Sequence, residues 1–377
     1  MAKLIFIGSD RNIFQEGSAV RSRMVEYGTL FDELHVIVNT RGFKKQERLS
    51  GNVVAYPTGS VSRWLYPSDS AKIATNIIAT DPLGEWVVSA QDPFENGRAA
   101  LKVCQKTGAK LHVQVHVDFL SPFFRKESLL NTLRLLIARK VLAAGDGIRV
   151  VSPRIKESII SNGRYKLKAE PAVLPIYSEF NGQADPFSFK TIHPEWNFVI
   201  LMVGRIEPEK NYPLALRALA EVTRRYPKVG LAVIGGGRKM QSVRRMAKTL
   251  DLDKNVIFLG PISDPAPYYK GADLYLHTAN YEGYGLTLTE AALSGLPIIS
   301  TDVGSIGWLF KQGETALVCE PQNAACLSKA LLRMIEDSGF AERLRIGARS
   351  SLLEQLPKDR AEYLKMYKNN LLSCLKV

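Results

Sequence analysis

Short, nearly unbroken apolar runs recur along the chain and alternate with stretches whose apolar residues fall at helical spacing. The clearest run is Asn197–Val203 (NFVILMV), which reads as a strand buried on both faces of a parallel sheet. Tyr212–Tyr226 then shows a helical period, Gly230–Ile234 (GLAVI) a second strand and Lys239–Leu250 a second helix. Val256–Leu259, Leu274–His277, Leu296–Ser300 and Ala316–Val318 continue the strands. The N-terminal half repeats the pattern. Lys3–Ile7, Glu33–Val38, Trp86–Ser89, Leu111–His116 and Gly147–Val151 read as strands, and Ser18–Tyr27 as a helix. Strand and helix alternating at this pitch predict βαβ units, hence two consecutive α/β domains, each with a parallel sheet. The break falls near Pro175–Trp196, which lacks periodicity and contains Pro175, Pro186, Pro194 and Gly182. Arg360–Leu375 reads as a closing amphipathic helix through Tyr363, Tyr367, Leu371 and Leu375. Ligands of such sheets bind at the carboxyl ends of strands, often against a helix N-terminus, so function is sought in the loops that follow strands.

Two loops stand out. VGRIEPEKN (residues 203–211) follows the strand NFVILMV and carries Arg205 and Lys210. Two cations at a strand end suit a diphosphate, although a charged solvated loop has the same composition. NYEGYGLTLTEAA (280–292) follows Leu274–His277. Gly283 and Gly285 allow close backbone approach, and a helix begins at Leu286, whose first-turn N–H groups form an anion site. Glu282 precedes the turn and Glu290 lies eight residues on. Carboxylates beside a phosphate site need a reason, and a polyol ligand is one. For Glu290 alone, a surface helix residue is the plainer reading.

These runs, with LAVIGGG, VIFLGPISD and YEGYGLTLTEAALSGLPIISTDVGS, resemble the retaining glycosyltransferases of family 4 over roughly residues 198–337. The specific part is E-x7-E, Glu282 to Glu290, inside EG-aromatic-G and followed by EA, A, SG and P. The resemblance implies a GT-B fold: two Rossmann-like parallel-sheet domains facing a central cleft. The N-terminal acceptor domain is expected over 1–185, the donor domain over 196–357, and a helix at 358–377 crossing back to the N-terminal domain. It also implies the site. Arg205 and Lys210 clamp the donor diphosphate, Glu290 binds ribose hydroxyls, and Glu282, Gly283, Tyr284, Gly285 and Leu286 meet the donor sugar and distal phosphate. Gly17 and Ser18, before Arg21, place backbone amides near the phosphate, a role compatible with Ser18 as a helix N-cap. His116, at a strand end, lies by the donor sugar. Asp118 fits less well because Val117 intervenes, and His112 reads as structural. Gly235–Arg238 lacks the dinucleotide fingerprint and reads as a strand-to-helix turn near the base, with Pro261–Ile262 as a further base contact. Pro175-Ile176-Tyr177 departs from the Asn-Gly that many members carry.

The implied activity is transfer of a sugar, with retention, from a nucleotide-sugar to a hydroxyl acceptor, lipid-linked or on a growing cell-surface glycan. A nucleotide-sugar epimerase on the same fold is the alternative, and a phosphorylase lacks a marked pyridoxal lysine. No Asp-x-Asp metal motif appears in the loops that follow strands, so no cofactor and no metal are expected. Side-chain cations are expected to do that work, and His116, Glu282, Arg205 and Lys210 are the catalytic candidates.

Charge adds one feature. Across 377 residues the formal net charge is +13. Residues 1–190 hold 26 basic and 18 acidic side chains, so the clamp does not account for the excess. A nucleic-acid partner is not expected, since no helix-turn-helix, RNP-like sheet or zinc motif appears. Phe123–Leu142 reads instead as one basic amphipathic helix. Leu129, Leu130, Leu133, Leu136, Ile137 and Val141 form its stripe, and Arg125, Lys126, Arg134, Arg139 and Lys140 its charge. It either packs on its own sheet or touches an anionic membrane. With no apolar run of membrane-span length, the expected location is cytoplasmic, or peripheral on the inner membrane face. Four scattered cysteines (Cys104, Cys319, Cys326, Cys374) fit a reducing compartment and predict no disulfide.

Overall fold

The computed structural model describes residues 2–42, 45–178, 180 and 184–376; Gly182 of the expected break lies outside them. The chain divides into two compact units, Met1–Pro175 with Asp359–Val377, and Ile176–Lys358.

The first unit holds strands β1 (Lys3–Gly8), β2 (Leu34–Val38), β3 (Glu47–Ser50), β4 (Val53–Pro57), β5 (Trp86–Ala90), β6 (Lys110–Val115), β7 (Gly147–Val150) and β8 (Pro171–Val173). They form one sheet in the order β3-β4-β2-β1-β5-β6-β7-β8. Every pair is parallel except β3–β4, so the expected parallel sheet carries one antiparallel strand at its edge. β3 reads ERLS, a polar edge strand with no apolar run to reveal it, and the two residues between it and β4, Gly51 and Asn52, permit only a hairpin. β1, β5 and β6 are almost wholly buried, as strands covered on both faces must be.

The helix Arg360–Leu372 completes this unit by burying Tyr363, Tyr367 and Leu371. Tyr367 stacks on Tyr27 at 4.5 Å between ring centroids. Arg149, on β7, is 3% exposed and donates to Gln114, Tyr363 and the carbonyls of Leu174 and Pro175 at 2.8–3.2 Å. A buried guanidinium is tolerable because these oxygens replace its water. His112 joins the same latch: Nδ1 meets Ser89 at 3.0 Å and Nε2 meets Asn370 at 3.1 Å.

The expected single helix over 123–142 is two helices, Pro122–Glu127 and Leu129–Ala144. Ser128 takes an extended conformation between them, and its hydroxyl accepts from the Asn131 N–H at 3.2 Å as the N-cap of the second. The break turns Phe124 inward and leaves Leu129, Leu130, Leu133 and Leu136 exposed.

The second unit holds β9 (Phe198–Val203), β10 (Val229–Ile234), β11 (Val256–Gly260), β12 (Leu274–His277), β13 (Ile298–Thr301) and β14 (Leu317–Cys319). All are parallel, in the order β11-β10-β9-β12-β13-β14. The chain runs outward from β9 to β11, then returns to β12 and runs the other way. The topological switch point therefore lies between β9 and β12, where open α/β sheets bind ligands.

A disulfide joins Cys319 to Cys326, overturning the expectation of free thiols. Cys319 ends β14 and Cys326 sits in the first turn of the helix Ala324–Glu336. The tight connection, with Gln322 at φ +70°, brings their Cα atoms to 5.8 Å. Cys104 and Cys374 are free.

Candidate functional site

The loops after β9 and β12 flank the switch point and are tied to each other. Thr278 donates its hydroxyl to the Lys210 carbonyl at 2.9 Å, the Asn280 N–H donates to the Glu209 carbonyl at 2.7 Å, and the Asn211 amide meets Asn280 at 3.0 Å. Asn211 adopts the left-handed conformation, φ 48°, and starts the helix Tyr212–Thr223. The Tyr212 hydroxyl reaches back to the Gly204 carbonyl at 2.9 Å. The β9 loop is thus fixed at both ends.

This frame sets Lys210 on Glu282. The ammonium donates to the carboxylate, and the two side chains are 17% and 21% exposed. His277 Nε2 lies 3.6 Å from the same carboxylate, while its Nδ1 faces Ser300 at 3.3 Å. Burial pushes the Glu282 carboxyl up, but the Lys210 charge and the neighbouring His277 overcome it and hold the group well below the usual range. Burial lowers His277, leaving it neutral beside the ion pair.

Arg205 does not share that setting. Its side chain is 76% exposed and pairs with Glu209 at 2.8 Å. Of the two cations expected to act together, Lys210 is held inside the site and Arg205 stands at its rim. The next loop is neutralised in the same way, with Arg238 on Glu207.

Gly283–Leu286 turn the chain into the helix Leu286–Leu293. Gly285, at φ 88°, occupies its N-cap position with no side-chain cap. Tyr284 is buried, and its ring lies 6.4 Å from that of Trp308. Gly304 packs beneath the turn at φ +60°, where a Cβ would come within 2.7 Å of the Tyr284 carbonyl oxygen, and the Ser305 N–H donates to that carbonyl at 3.0 Å. Glu290 accepts from the Tyr269 hydroxyl at 2.9 Å. Burial raises the Glu290 carboxyl more than Tyr269 lowers it. Gly235–Gly237 form the turn after β10, where a Cβ on Gly235 would strike the Gly204 carbonyl, so this turn lies against the β9 loop.

Tyr269, His277, Thr278, Asn211 and Gly304 are the site residues sequence reading missed. His277 carried a signal as the last residue of an apolar strand, and Asn211 and Gly304 lie inside the runs VGRIEPEKN and YEGYGLTLTEAALSGLPIISTDVGS; Tyr269 and Thr278 carried none. The chemistry of this arrangement is that of a cation and uncapped helix amides, suited to an anion, beside two held carboxylates, suited to hydroxyl donors.

The remaining expected residues lie in the first unit. Its own switch point is between β1 and β5. Gly17 (φ +75°) and Ser18 follow β1. Ser18 caps the helix Ala19–Gly28, accepting from the Arg21 N–H at 3.2 Å. Arg21 itself is paired with Glu47 at 2.5 Å. His116 follows β6, and its Nε2 is buried with no hydrogen-bond partner among the described residues. Burial, then Arg149, Arg23 and His112, lower it to about 3, so the ring is neutral. His112 is likewise lowered, to about 4, and is spent on the latch. Asp118 accepts from the Ser158 hydroxyl at 3.4 Å.

Among the described residues no cluster of three His, Cys, Asp or Glu side chains could hold a metal ion. No helix among them is long and apolar enough to cross a membrane.

Comparison with known proteins follows the same division. The family model described as "Glycosyl transferases group 1" matches residues 184–351. A glycogen synthase of Mycobacterium tuberculosis is 28% identical over 155 residues, 41% of this chain and 37% of that protein. An alpha-monoglucosyldiacylglycerol synthase of Streptococcus pneumoniae is 31% identical over 175 residues, 44% of this chain and 39% of that protein. The matched stretch thus spans about two fifths of these curated relatives. The crystal structure of Anabaena HepE in complex with UDP-glucose superposes over 100% of both chains, with a TM-score of 0.76 at 18% identity, which establishes the fold. Sequence and architecture therefore agree: the chain has the GT-B fold, and its second unit is similar to the glycosyl transferases group 1 over residues 184–351.

Proposed function

We propose that the protein transfers a sugar from a nucleotide-sugar to a hydroxyl acceptor with retention of configuration. The observation that carries this reading is the Lys210–Glu282 pair, held at the switch point beside the uncapped helix Leu286–Leu293. Bond breaking leaves charge on a diphosphate. In this reading Lys210, the helix N-terminus and Arg205 at the rim stabilise that charge, so that side chains supply what a divalent metal supplies elsewhere. Glu282 is ionised but already neutralised by Lys210, which suits it to orient sugar hydroxyls and makes it a poor nucleophile. The leaving phosphate is then the group that helps deprotonate the acceptor. Glu290, steadied by Tyr269, is the acceptor for ribose hydroxyls. For His116 the reading rests on its own unit: a neutral imidazole with a buried, unused nitrogen suits a hydroxyl partner better than an anion. The UDP-glucose held by the similar HepE structure supports a uridine diphosphate sugar as the first donor to try. The acceptor in this reading is a lipid-linked or cell-surface glycan hydroxyl, and the name of the similar alpha-monoglucosyldiacylglycerol synthase supports the lipid class.

The test is a thermal-shift panel of UDP-, GDP- and ADP-sugars. A donor at a hundred times its Kd adds about 2.7 kcal/mol to the stability of the unit that binds it. The matching nucleotide-sugar is expected to raise the unfolding temperature in EDTA. If none does, the donor reading is wrong; if only metal restores the shift, the metal-free proposal is. Turnover of the nucleotide-sugar without acceptor, followed by proton NMR, would favour an epimerase instead.

A further inference from the structure

The helix Leu129–Ala144 turns the leucines of its first half outward. Its buried residues are Asn131, Ala138, Val141 and Leu142, whereas Leu129, Leu130, Leu133 and Leu136 are 92%, 39%, 48% and 60% exposed. Their spacing places them on one stripe. An amphipathic helix of a globular protein normally turns its large apolar residues to the core. Here the core side holds only Asn131 and Ala138 before Val141 and Leu142 in the last turn, and Arg134 anchors it by an ion pair with Glu95 at 2.9 Å.

Beside the stripe lies a groove of about 870 Å³. Arg125, Lys126, Arg139 and Arg164 line it together with Leu129 and Leu136, and no carboxylate does. Among the described residues none of these four cations forms an ion pair. Below it, Phe119 meets Phe94 and Tyr165 edge-on at 5.7 and 6.2 Å, so the floor is a packed aromatic cluster.

We propose that this stripe and groove form a docking surface for an anionic lipid bilayer. The leucines match the acyl boundary, and the unpaired cations match lipid phosphates at the level where a surface-lying helix places them. A second copy of the chain fits poorly, because it would bring the same cations against each other. The excess of 26 basic over 18 acidic residues in positions 1–190 has the sign the bilayer needs. The inference does not depend on the transferase reading, since membrane partition is measured without substrate.

The test sediments the full chain with sucrose-loaded vesicles of phosphatidylcholine alone or mixed with phosphatidylglycerol. The protein is expected to pellet with the mixed vesicles and to be released by salt. Each cation near the surface contributes roughly fivefold. Arg125→Glu with Lys126→Glu is therefore expected to weaken partition by well over tenfold. Leu129→Ser with Leu133→Ser and Leu136→Ser removes the apolar contact at exposed positions, so it is expected to abolish pelleting with the unfolding temperature unchanged. Wild-type protein that stays in the supernatant with mixed vesicles overturns the proposal. So does a leucine variant that pellets as well as wild type, or light scattering that shows a wild-type dimer and a monomeric leucine variant.

Discussion

Removing the Lys210 ammonium strands the Glu282 carboxylate. Breaking a buried ion pair from one side costs roughly 3–5 kcal/mol, because the remaining charge stays desolvated. Both side chains keep about a fifth of their surface in water, so roughly 2–3 kcal/mol is the expected cost of Lys210→Ala. In a unit of this size that is a fall of roughly 5–10 °C in its unfolding temperature. The assay is scanning calorimetry of Lys210→Ala, Glu282→Gln and the double variant, with donor turnover measured in parallel. The double variant has no stranded charge. It is expected to unfold above Lys210→Ala while remaining as inactive. pH sharpens the test. In the wild type the depressed Glu282 carboxyl contributes stability above the ordinary value of 4.5, and this is lost as pH falls below it. In Lys210→Ala burial dominates and the carboxyl rises, so protonation relieves the variant and the gap narrows in acid. A Lys210→Ala protein that unfolds at the wild-type temperature, or a double variant as unstable as the two single losses together, would refute the reasoning.

Tyr269→Phe removes the hydroxyl that holds Glu290 but keeps the ring. It is expected to raise the donor KM severalfold with little change in kcat, and an unchanged KM would detach Tyr269 from the site. Gly304→Ala forces a Cβ against the Tyr284 carbonyl at positive φ, a strain of about 1–3 kcal/mol. Calorimetry should show a lower unfolding temperature, and no loss would mean that the turn relaxes freely. Reduction of Cys319–Cys326 is expected to destabilise the second unit by roughly 2–3 kcal/mol on the chain-entropy account, with titratable thiols rising from two to four; a full thiol count before reduction contradicts the bond. His112 and His116 are neutral in the fold, at about 4 and 3 against 6.5 ordinarily. The unfolded chain binds more protons as pH falls through 6.5, so the first unit should lose about 1.4 kcal/mol per pH unit for each histidine. A urea midpoint that is flat from pH 7 to pH 5 would contradict their burial as neutral rings.

What could be read before the structure depended on contiguity. NFVILMV and GLAVI announce β9 and β10 because a strand covered on both faces must be apolar along its whole length. The polar edge strand β3 makes no such demand on sequence. The loops at the switch point show their glycines, cations and carboxylates within a few residues. The partners that set their geometry are distant: Tyr269 reaches Glu290 across 21 residues, and Lys210 reaches Glu282 across 72. Arg205 and Lys210 look equivalent on paper; the turn at Asn211 sends one inward and leaves the other at the rim. The stripe at Leu129–Leu136 was visible as a periodicity, but periodicity does not say which side faces water. That was decided by Ser128 breaking the helix, with Asn131 and Ala138 buried on the other side of its first half.

The latch of Arg149, His112 and the helix Arg360–Leu372 has a consequence for how the chain is made. A ribosome delivers β1 to β8 first, yet their unit lacks Tyr363, Tyr367 and Asn370 until the whole second unit has emerged. During that interval the Arg149 guanidinium and the His112 ring lack partners that the finished fold gives them. The unit synthesised second is thus the one able to mature first, reversing the usual order of synthesis. A released chain truncated after Lys358 should yield a native second unit and an N-terminal half still sensitive to protease.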